Sequence, residues 1–273
     1  MPSPTTMRIV TSSNQKYGLD FISGAVDSCV AFFSLYRSTK YFKGQCVEVM
    51  RGSDYATAWF GYKGSLGYID YIAIALFCAG TTGKVREWVN GSVLAGVQNA
   101  IQPNYAKMPI IYESGAFNVD GLRFVSANSV KLAITDYAAV KIATSPYSIY
   151  QNFYTPSAHV GFIFVRNGRY DTRIDNLSYI SRVKTTILSS FAPSYPSTIK
   201  SVNNWQGTEA NQVKSNVNGT IITSTCSEVV ETDSVDFTVG ARAVSYYFTG
   251  NIKSIIIWNS NQYDNYTQLA SKF

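Results

Sequence analysis

Histidine and cysteine are scarce in this sequence. It contains one histidine, His159, and four cysteines, Cys29, Cys46, Cys78 and Cys226, none of them in a C-x-x-C pair. A structural zinc site or a redox motif needs closely spaced ligands of these types, so neither is predicted. We expect the cysteines to be free, buried thiols. His159 leads into an apolar, strand-like run, which favours a structural role, and no metal or cofactor is predicted.

Charged residues are also few, at 15% of the chain, with 23 basic and 17 acidic side chains. The basic residues never form a run of three, which argues against a nucleic-acid footprint.

Glycoside hydrolysis needs two carboxylates flanking the scissile bond. The one acidic cluster, Glu228, Glu231, Asp233 and Asp236, is typical of solvated charges beside a strand. No G-x-S-x-G elbow occurs. We therefore predict that the protein is not an enzyme, and that its mild basicity suits an anionic glycan or an acidic neighbouring subunit.

Long hydrophobic runs are missing as well. The longest apolar stretch, residues 69–80, is too short for a transmembrane helix and carries Asp70. Residues 1–18 are rich in Ser, Thr, Pro and Asn and lack the apolar segment of a secretory signal. We expect a soluble protein in which an extended arm (1–18) precedes one compact domain (19–273).

Aromatic residues, in contrast, are abundant, with 20 Tyr and 15 Phe. Together with β-branched residues they favour strands. Asn167-Gly168 and Asn218-Gly219 are strong hairpin signals, because both turn positions need positive φ. They separate the predicted strands 160–165 from 169–174, and 212–217 from 220–225.

The last third of the chain alternates most clearly. Val235, Phe237, Val239 and Ala241 share one face, and the apolar residues of 252–258 predict a buried central strand. Many short strands joined by tight turns indicate a sandwich or barrel.

Two helices and one long loop complete the prediction. Residues 19–36 have apolar side chains at three- and four-residue spacings, which predicts a helix, and residues 263–273 predict a short closing helix. Pro193 and Pro196 indicate a long surface loop.

That loop contains the residues that best suit ligand binding. Aromatic faces and amide groups are what a shallow saccharide site needs. The candidate ligand-binding residues are Tyr195, Asn203, Asn204, Trp205 and Gln206. Alternatively, the same segment contacts a neighbouring subunit or only closes the sandwich.

Eight short segments resemble one known family, in the same order along the chain. They are AFFSLYR (31–37), VEVMRGSD (47–54), WFGY (59–62), GKVREWV (83–89), MPII (108–111), GLRF (121–124), FTVGAR (237–242) and FTGNIKSIIIWN (248–259). The family is the concanavalin A-like (laminin-G-like) domain of the arabinofuranosidase B type of glycoside hydrolase, which also occurs in bacteriophage virion proteins. The resemblance implies an all-β fold, an antiparallel β-sandwich or jelly roll with one or two short helices.

The departures from the family pattern concern its polar residues. The Trp-Tyr-Asp-Gln-Ser-Gly segment of the family is here Trp88-Val89-Asn90-Gly91-Ser92, without its Asp, and the arginine pair is reduced to Met50-Arg51. The catalytic carboxylates of the hydrolases have no counterpart. The resemblance therefore supports the fold and not the hydrolase activity.

These features favour a bacteriophage structural protein: a head decoration, head fibre or tail protein located in the virion. The expected partners are other virion proteins, contacted through the arm or a sandwich face, with host-surface glycan binding as a second role. Homo-oligomerisation is expected because particles repeat their components. Nucleic acid and membrane insertion are not expected. The alternative is a secreted carbohydrate-binding domain associated with a glycoside hydrolase, or a divergent glycosidase.

Overall fold

The fold is given by a computed structural model that describes residues 17–40, 42, 44–63, 67–92, 98–134, 147–166, 170–183, 186–205, 212–226, 237–242 and 245–273. Strands dominate these ranges. They are β1 (Cys29–Ser34), β2 (Gln45–Arg51), β3 (Thr57–Lys63), β4 (Tyr68–Ile69), β5 (Gly83–Trp88), β6 (Ala100–Ile101), β7 (Ile110–Glu113), β8 (Ala116–Phe117), β9 (Leu122–Phe124), β10 (Leu132–Ile134), β11 (Tyr147–Thr155), β12 (His159–Arg166), β13 (Tyr170–Asn176), β14 (Ser178–Val183), β15 (Thr186–Phe191), β16 (Ser197–Trp205), β17 (Gln212–Val217), β18 (Thr220–Thr225), β19 (Phe237–Val239) and β20 (Gly250–Trp258).

The helices are short. The α-helices of the described ranges are α1 (Tyr71–Phe77) and α2 (Tyr266–Lys272), and the 3-10 turns are Gly18–Phe21, Tyr105–Lys107, Ser126–Asn128 and Tyr263–Asn265. Helix α1 begins after Asp70, whose carboxylate accepts a hydrogen bond from the Ala73 backbone N–H at 3.1 Å. No helix in the described ranges has the length and apolar character needed to cross a membrane.

The strands pair antiparallel in two layers. The first sheet has the order β1–β20–β11–β16–β17–β18. The second has the order β3–β2–β5–β6–β10–β19–β12–β13–β14–β15. Strands β7 and β9 join them, because β7 pairs with β5 and β9 continues onto β20. The expected all-β sandwich is confirmed.

The main core lies between the two sheets. Phe33 and Ile257 of the first sheet meet Ile134, Phe164 and Phe237 of the second, and all of them are at least 97% buried. Each such side chain contributes about 1.5–3 kcal/mol by leaving water. The interior of the sandwich is thus the principal source of its stability.

The outer face of the first sheet is also covered. Phe32, Tyr150 and Trp258 pack against Leu19 and Leu269, so the N-terminal turn and α2 form a second, smaller core. The Trp258 indole donates to the Ala25 carbonyl at 2.8 Å. Because both faces of β1, β11 and β20 are buried, these strands show few exposed positions.

The predicted helix at residues 19–36 is wrong. Only Gly18–Phe21 forms a 3-10 turn, and Cys29–Ser34 is strand β1, in which Phe32 lies opposite Ile256. An apolar segment that is buried on both faces satisfies a helical spacing as easily as a strand one. Pairing of β1 with residues 254–258 of β20 decides in favour of the strand.

Several other sequence predictions are confirmed. Residues 252–258 lie in β20, between β1 and β11, and α2 closes the chain. Asn218 (φ 49°) and Gly219 (φ 86°) join β17 to β18 with the positive φ values of a tight hairpin. The four cysteines are buried thiols that form no disulfide. Val235, Asn167-Gly168 and the acidic cluster at 228–236 lie outside the described residues, as do residues 1–16 of the expected arm.

Candidate functional site

A polar cavity of about 280 Å³ opens on the outer face of the first sheet. We call it the lysine groove. Its lining residues are Tyr36, Asp120, Asn152, Tyr154, Thr198, Lys200, Lys253, Ser271, Lys272 and Phe273. The residues come from β11, β16, β20, α2 and two connecting segments.

The floor of the groove follows from strand alternation. Asn152 and Tyr154 of β11 lie opposite Lys200 and Thr198 of β16, and alternate residues of both strands face the interior. On the other side of β11, the register with β20 shifts between Asn152 and the next residue. This bulge places Lys253 at the groove, since an extra residue in one strand redirects its side chains.

Helix α2 forms one wall. The Phe273 ring packs edge-on against Phe32, with centroids 5.4 Å apart, and lies 6.2 Å from the Tyr150 ring. The Asn152 side-chain amide donates to a main-chain oxygen of Phe273 at 2.5 Å, and the Lys200 ammonium donates to the Ala270 carbonyl. The end of the helix is thereby tied to the floor of the sheet.

Positive charge dominates the lining. Lys200, Lys253 and Lys272 stand against one carboxylate side chain, that of Asp120. Within the described ranges, none of the three ammonium groups has a carboxylate within 4.0 Å. Burial, together with repulsion from Lys253, lowers the pKa of Lys200.

Two of these lysines lie over aromatic rings. The Lys253 ammonium is 5.4 Å from the Tyr36 ring centroid, and the Lys272 ammonium is 4.1 Å from that of Phe21. Such contacts hold a cation in place without neutralising it. The groove therefore offers fixed positive charge beside tyrosine, threonine and amide groups, a set of donors suited to a polar or anionic ligand.

The expectation that the candidate ligand-binding segment is an exposed loop is wrong for Asn203 and Trp205. Both belong to β16, are 2–3% exposed, and point between the sheets. The Asn203 amide donates to the Tyr179 hydroxyl at 3.0 Å, and the Trp205 ring packs edge-on against Tyr147. Polar residues in this strand are paired inside the sandwich instead of being solvated.

Of the remaining candidates, Tyr195 and Asn204 also have different surroundings. Asn204 is fully buried and accepts a hydrogen bond from Ser148 at 2.8 Å. Tyr195 is half-buried and lies in the short connection between β15 and β16, where its hydroxyl donates to the Asn176 carbonyl at 3.3 Å. Gln206 lies outside the described residues. The predicted long loop around Pro193 and Pro196 is thus only residues 192–196, because β16 begins at Ser197.

His159 is held at the start of β12 as a structural residue. Its Nε2 accepts from the Thr249 backbone N–H at 3.1 Å, and its Nδ1 lies 2.9 Å from the Ser157 carbonyl. Accepting at Nε2 requires the neutral ring with its proton on Nδ1. Burial lowers the pKa of His159, which favours that neutral form.

Sequence reasoning did not find the lysine groove. Lys200 and Lys253 are more than 50 residues apart in the sequence, and each lysine of the groove has only apolar or neutral residues beside it. The one local signal is Lys253 itself, a cation inside the apolar stretch of β20. A charge placed within a central strand indicates that one end of that strand reaches the surface.

Comparisons with known proteins agree with the fold. No protein-family model and no curated protein matches the sequence. Among solved structures, a GH54 α-L-arabinofuranosidase soaked with a cyclic sulfate inhibitor matches with a TM-score of 0.63 and 13% identity, over 91% of this chain and 63% of that chain. An arabinofuranosidase complexed with arabinofuranosyl-α-1,2-xylobiose matches with a TM-score of 0.65 and 12% identity, over the same shares of the two chains.

At this identity the likeness shows a shared sandwich fold and nothing about activity. This chain spans about 63% of the length of the structures it matches. The part of the sequence resemblance that concerns arabinofuranosidases is thus confirmed at the level of fold. The part that concerns bacteriophage proteins stays a prediction.

Proposed function

We propose that this chain is a non-enzymatic, concanavalin A-like component of a bacteriophage virion that binds a saccharide of the host surface in the lysine groove. The observation that supports it best is the groove itself: a cavity of about 280 Å³ with three lysines, two tyrosines and an asparagine, on a rigid sheet. Its size suits one sugar ring, below the roughly 300–1,000 Å³ of pockets for drug-sized ligands.

The paired state of several carboxylates supports a binding role over a catalytic one. Asp171, which is 6% exposed, accepts from the Arg182 guanidinium at 2.6 and 2.9 Å. Glu113 pairs with Arg123. In the lysine groove, Asp120 faces three lysines and has no second lining carboxylate side chain beside it. A glycosidase needs a pair of carboxyl groups about 5–10 Å apart across the scissile bond.

The particle role rests on the sequence. A Ser-, Thr- and Pro-rich segment precedes the sandwich, and the collinear motifs resemble virion domains as well as hydrolases. Tyr17 is already fixed on the sandwich, with its ring 4.3 Å from the Arg37 guanidinium. An attachment arm would therefore end before Tyr17.

A glycan array run beside size-exclusion light scattering tests both parts. Saccharide binding that is lost in Lys253→Met and kept in Lys107→Met, an exposed lysine that does not line the groove, supports recognition at the groove. A stable oligomer that weakens when residues 1–16 are removed, while the circular dichroism spectrum is unchanged, supports the assembly role. A monomer that binds no saccharide contradicts the proposal.

A further inference from the structure

We infer that the lysine groove selects saccharides that carry a negative charge over neutral saccharides of the same backbone. This inference rests on the proposed saccharide recognition and adds the chemical class of the ligand. It follows from the charges, the geometry and the hydrogen-bonding groups of the lining.

Charge gives the first argument. Lys200 and Lys253 both line the groove and repel each other, and the pKa of Lys200 is lowered by burial and, to a smaller degree, by that repulsion. The free groove thus holds two like charges near one another without a carboxylate within 4.0 Å in the described part of the chain. An anion bound between them converts repulsion into two attractions, whereas a neutral sugar leaves the repulsion in place.

Geometry gives the second argument, since the cations are held in position before a ligand arrives. The Lys200 ammonium is anchored on the Ala270 carbonyl, and the Lys253 ammonium lies over the Tyr36 ring. Ordering a free lysine on binding costs side-chain conformational entropy. Because these two are already restrained, less of that cost remains.

The neutral groups of the lining give the third argument. The Tyr154 side chain is half-buried and Thr198 lies opposite it across the β11–β16 pair, so hydroxyl groups border the two cations. Hydroxyl groups donate to and accept from sugar hydroxyls. A lining with hydroxyls beside fixed cations matches a sugar ring bearing an acidic group better than it matches a simple ion.

The test is calorimetric titration of the full chain with a panel of uronic-acid oligosaccharides, each paired with its own methyl ester. The two members of a pair differ in charge and hardly at all in shape. We expect the acid of at least one pair to bind about tenfold more tightly than its ester, the effect of one charge-assisted contact at a partly exposed site. The difference should shrink as salt is raised.

Lys253→Met is the decisive variant, because Lys253 anchors no backbone group in the described structure, unlike Lys200. We expect it to weaken binding of the acid about tenfold and to leave binding of the ester unchanged, with Lys107→Met as the matched control. If Lys253→Met does not fold, Lys272→Met, whose side chain is exposed, takes its place.

Each other outcome has a definite meaning. Equal affinity for acid and ester, or equal loss for both in Lys253→Met, overturns the charge selection and leaves saccharide recognition standing. Binding confined to neutral saccharides overturns it in the same way. Absence of binding to every acid, ester and neutral saccharide contradicts both this inference and the recognition part of the proposed function.

Discussion

The hydroxyl of Tyr179 lies at the centre of a polar cluster inside the sandwich, and its removal should destabilise the protein strongly. The hydroxyl donates to Gln151 Oε1 at 3.1 Å, accepts from Asn203 Nδ2 at 3.0 Å, and lies 2.9 Å from Ser201 Oγ. Tyr179 and Gln151 are fully buried and Asn203 is 2% exposed. The Tyr179→Phe variant keeps the ring and deletes one of the atoms that form hydrogen bonds between the two sheets.

The size of the effect follows from the groups left behind. Ser201 can rotate its hydroxyl, but Gln151 Oε1 and Asn203 Nδ2 each lose a partner in the dry interior. A buried polar group without a partner costs about 1–3 kcal/mol, so two of them should lower the free energy of unfolding by about 2–6 kcal/mol. Urea unfolding followed by tryptophan fluorescence measures this difference.

Tyr150→Phe is the matched control. Tyr150 is equally buried, on the outer face of the first sheet, but its hydroxyl has no hydrogen-bond partner among the described residues. Removing an unpaired buried hydroxyl should be neutral or stabilise the fold by up to about 1 kcal/mol. The reasoning is refuted if Tyr179→Phe costs less than about 0.5 kcal/mol, or if the two variants unfold at the same urea concentration.

Three further predictions concern His159 and two glycines. The folded-state pKa of His159 lies below its ordinary value of 6.5, so its stabilising bond to Thr249 should be fully present above about pH 6.5 and lost as the pH falls below it. The melting temperature should therefore fall between about pH 7.5 and 5. An equally steep fall in His159→Gln over the same range contradicts this account. Gly219→Ala should cost about 1 kcal/mol, because its φ is +86° but no atom lies within 4 Å of the added Cβ. Gly240→Ala, with φ +84°, should lower the free energy of unfolding clearly more, because its Cβ falls 2.2 Å from the Phe124 ring. Equal unfolding midpoints for the two glycine variants exclude this steric account.

The parts of the fold that the sequence predicts are those in which a local signal and the tertiary structure agree. Asn218-Gly219 forms a turn because of its own backbone preference. The apolar residues of β20 are expected to be buried whichever strands they pair with, and they are. The segment at residues 19–36 fails because its signal is shared by a helix and by a strand covered on both faces. Its partners, β20 and α2, come more than 200 residues later in the chain.

The candidate site fails for a related reason, which Asn203 illustrates. A cluster of asparagine, tryptophan and glutamine indicates an exposed loop only if its polar groups have no partners within the fold. Here the partners of Asn203 are Tyr179 and Ser189, on β14 and β15 of the opposite sheet, and Ser189 donates to its side-chain oxygen at 3.2 Å. Nothing local to residue 203 predicts them.

The lysine groove shows the opposite case, in which side chains that look unremarkable in the sequence become distinctive through their neighbours. Lys200, Lys253 and Lys272 belong to three elements, and they converge because a bulge in β20 and the end of α2 meet over the β11–β16 pair. A lysine on an open surface loses little by standing alone, because water screens its charge. Two lysines in one groove repel each other, and a negatively charged ligand bound between them would turn that repulsion into attraction. Charge removal at Lys253 should therefore stabilise the free protein while weakening the complex. A variant that weakened both would instead identify Lys253 as a structural residue.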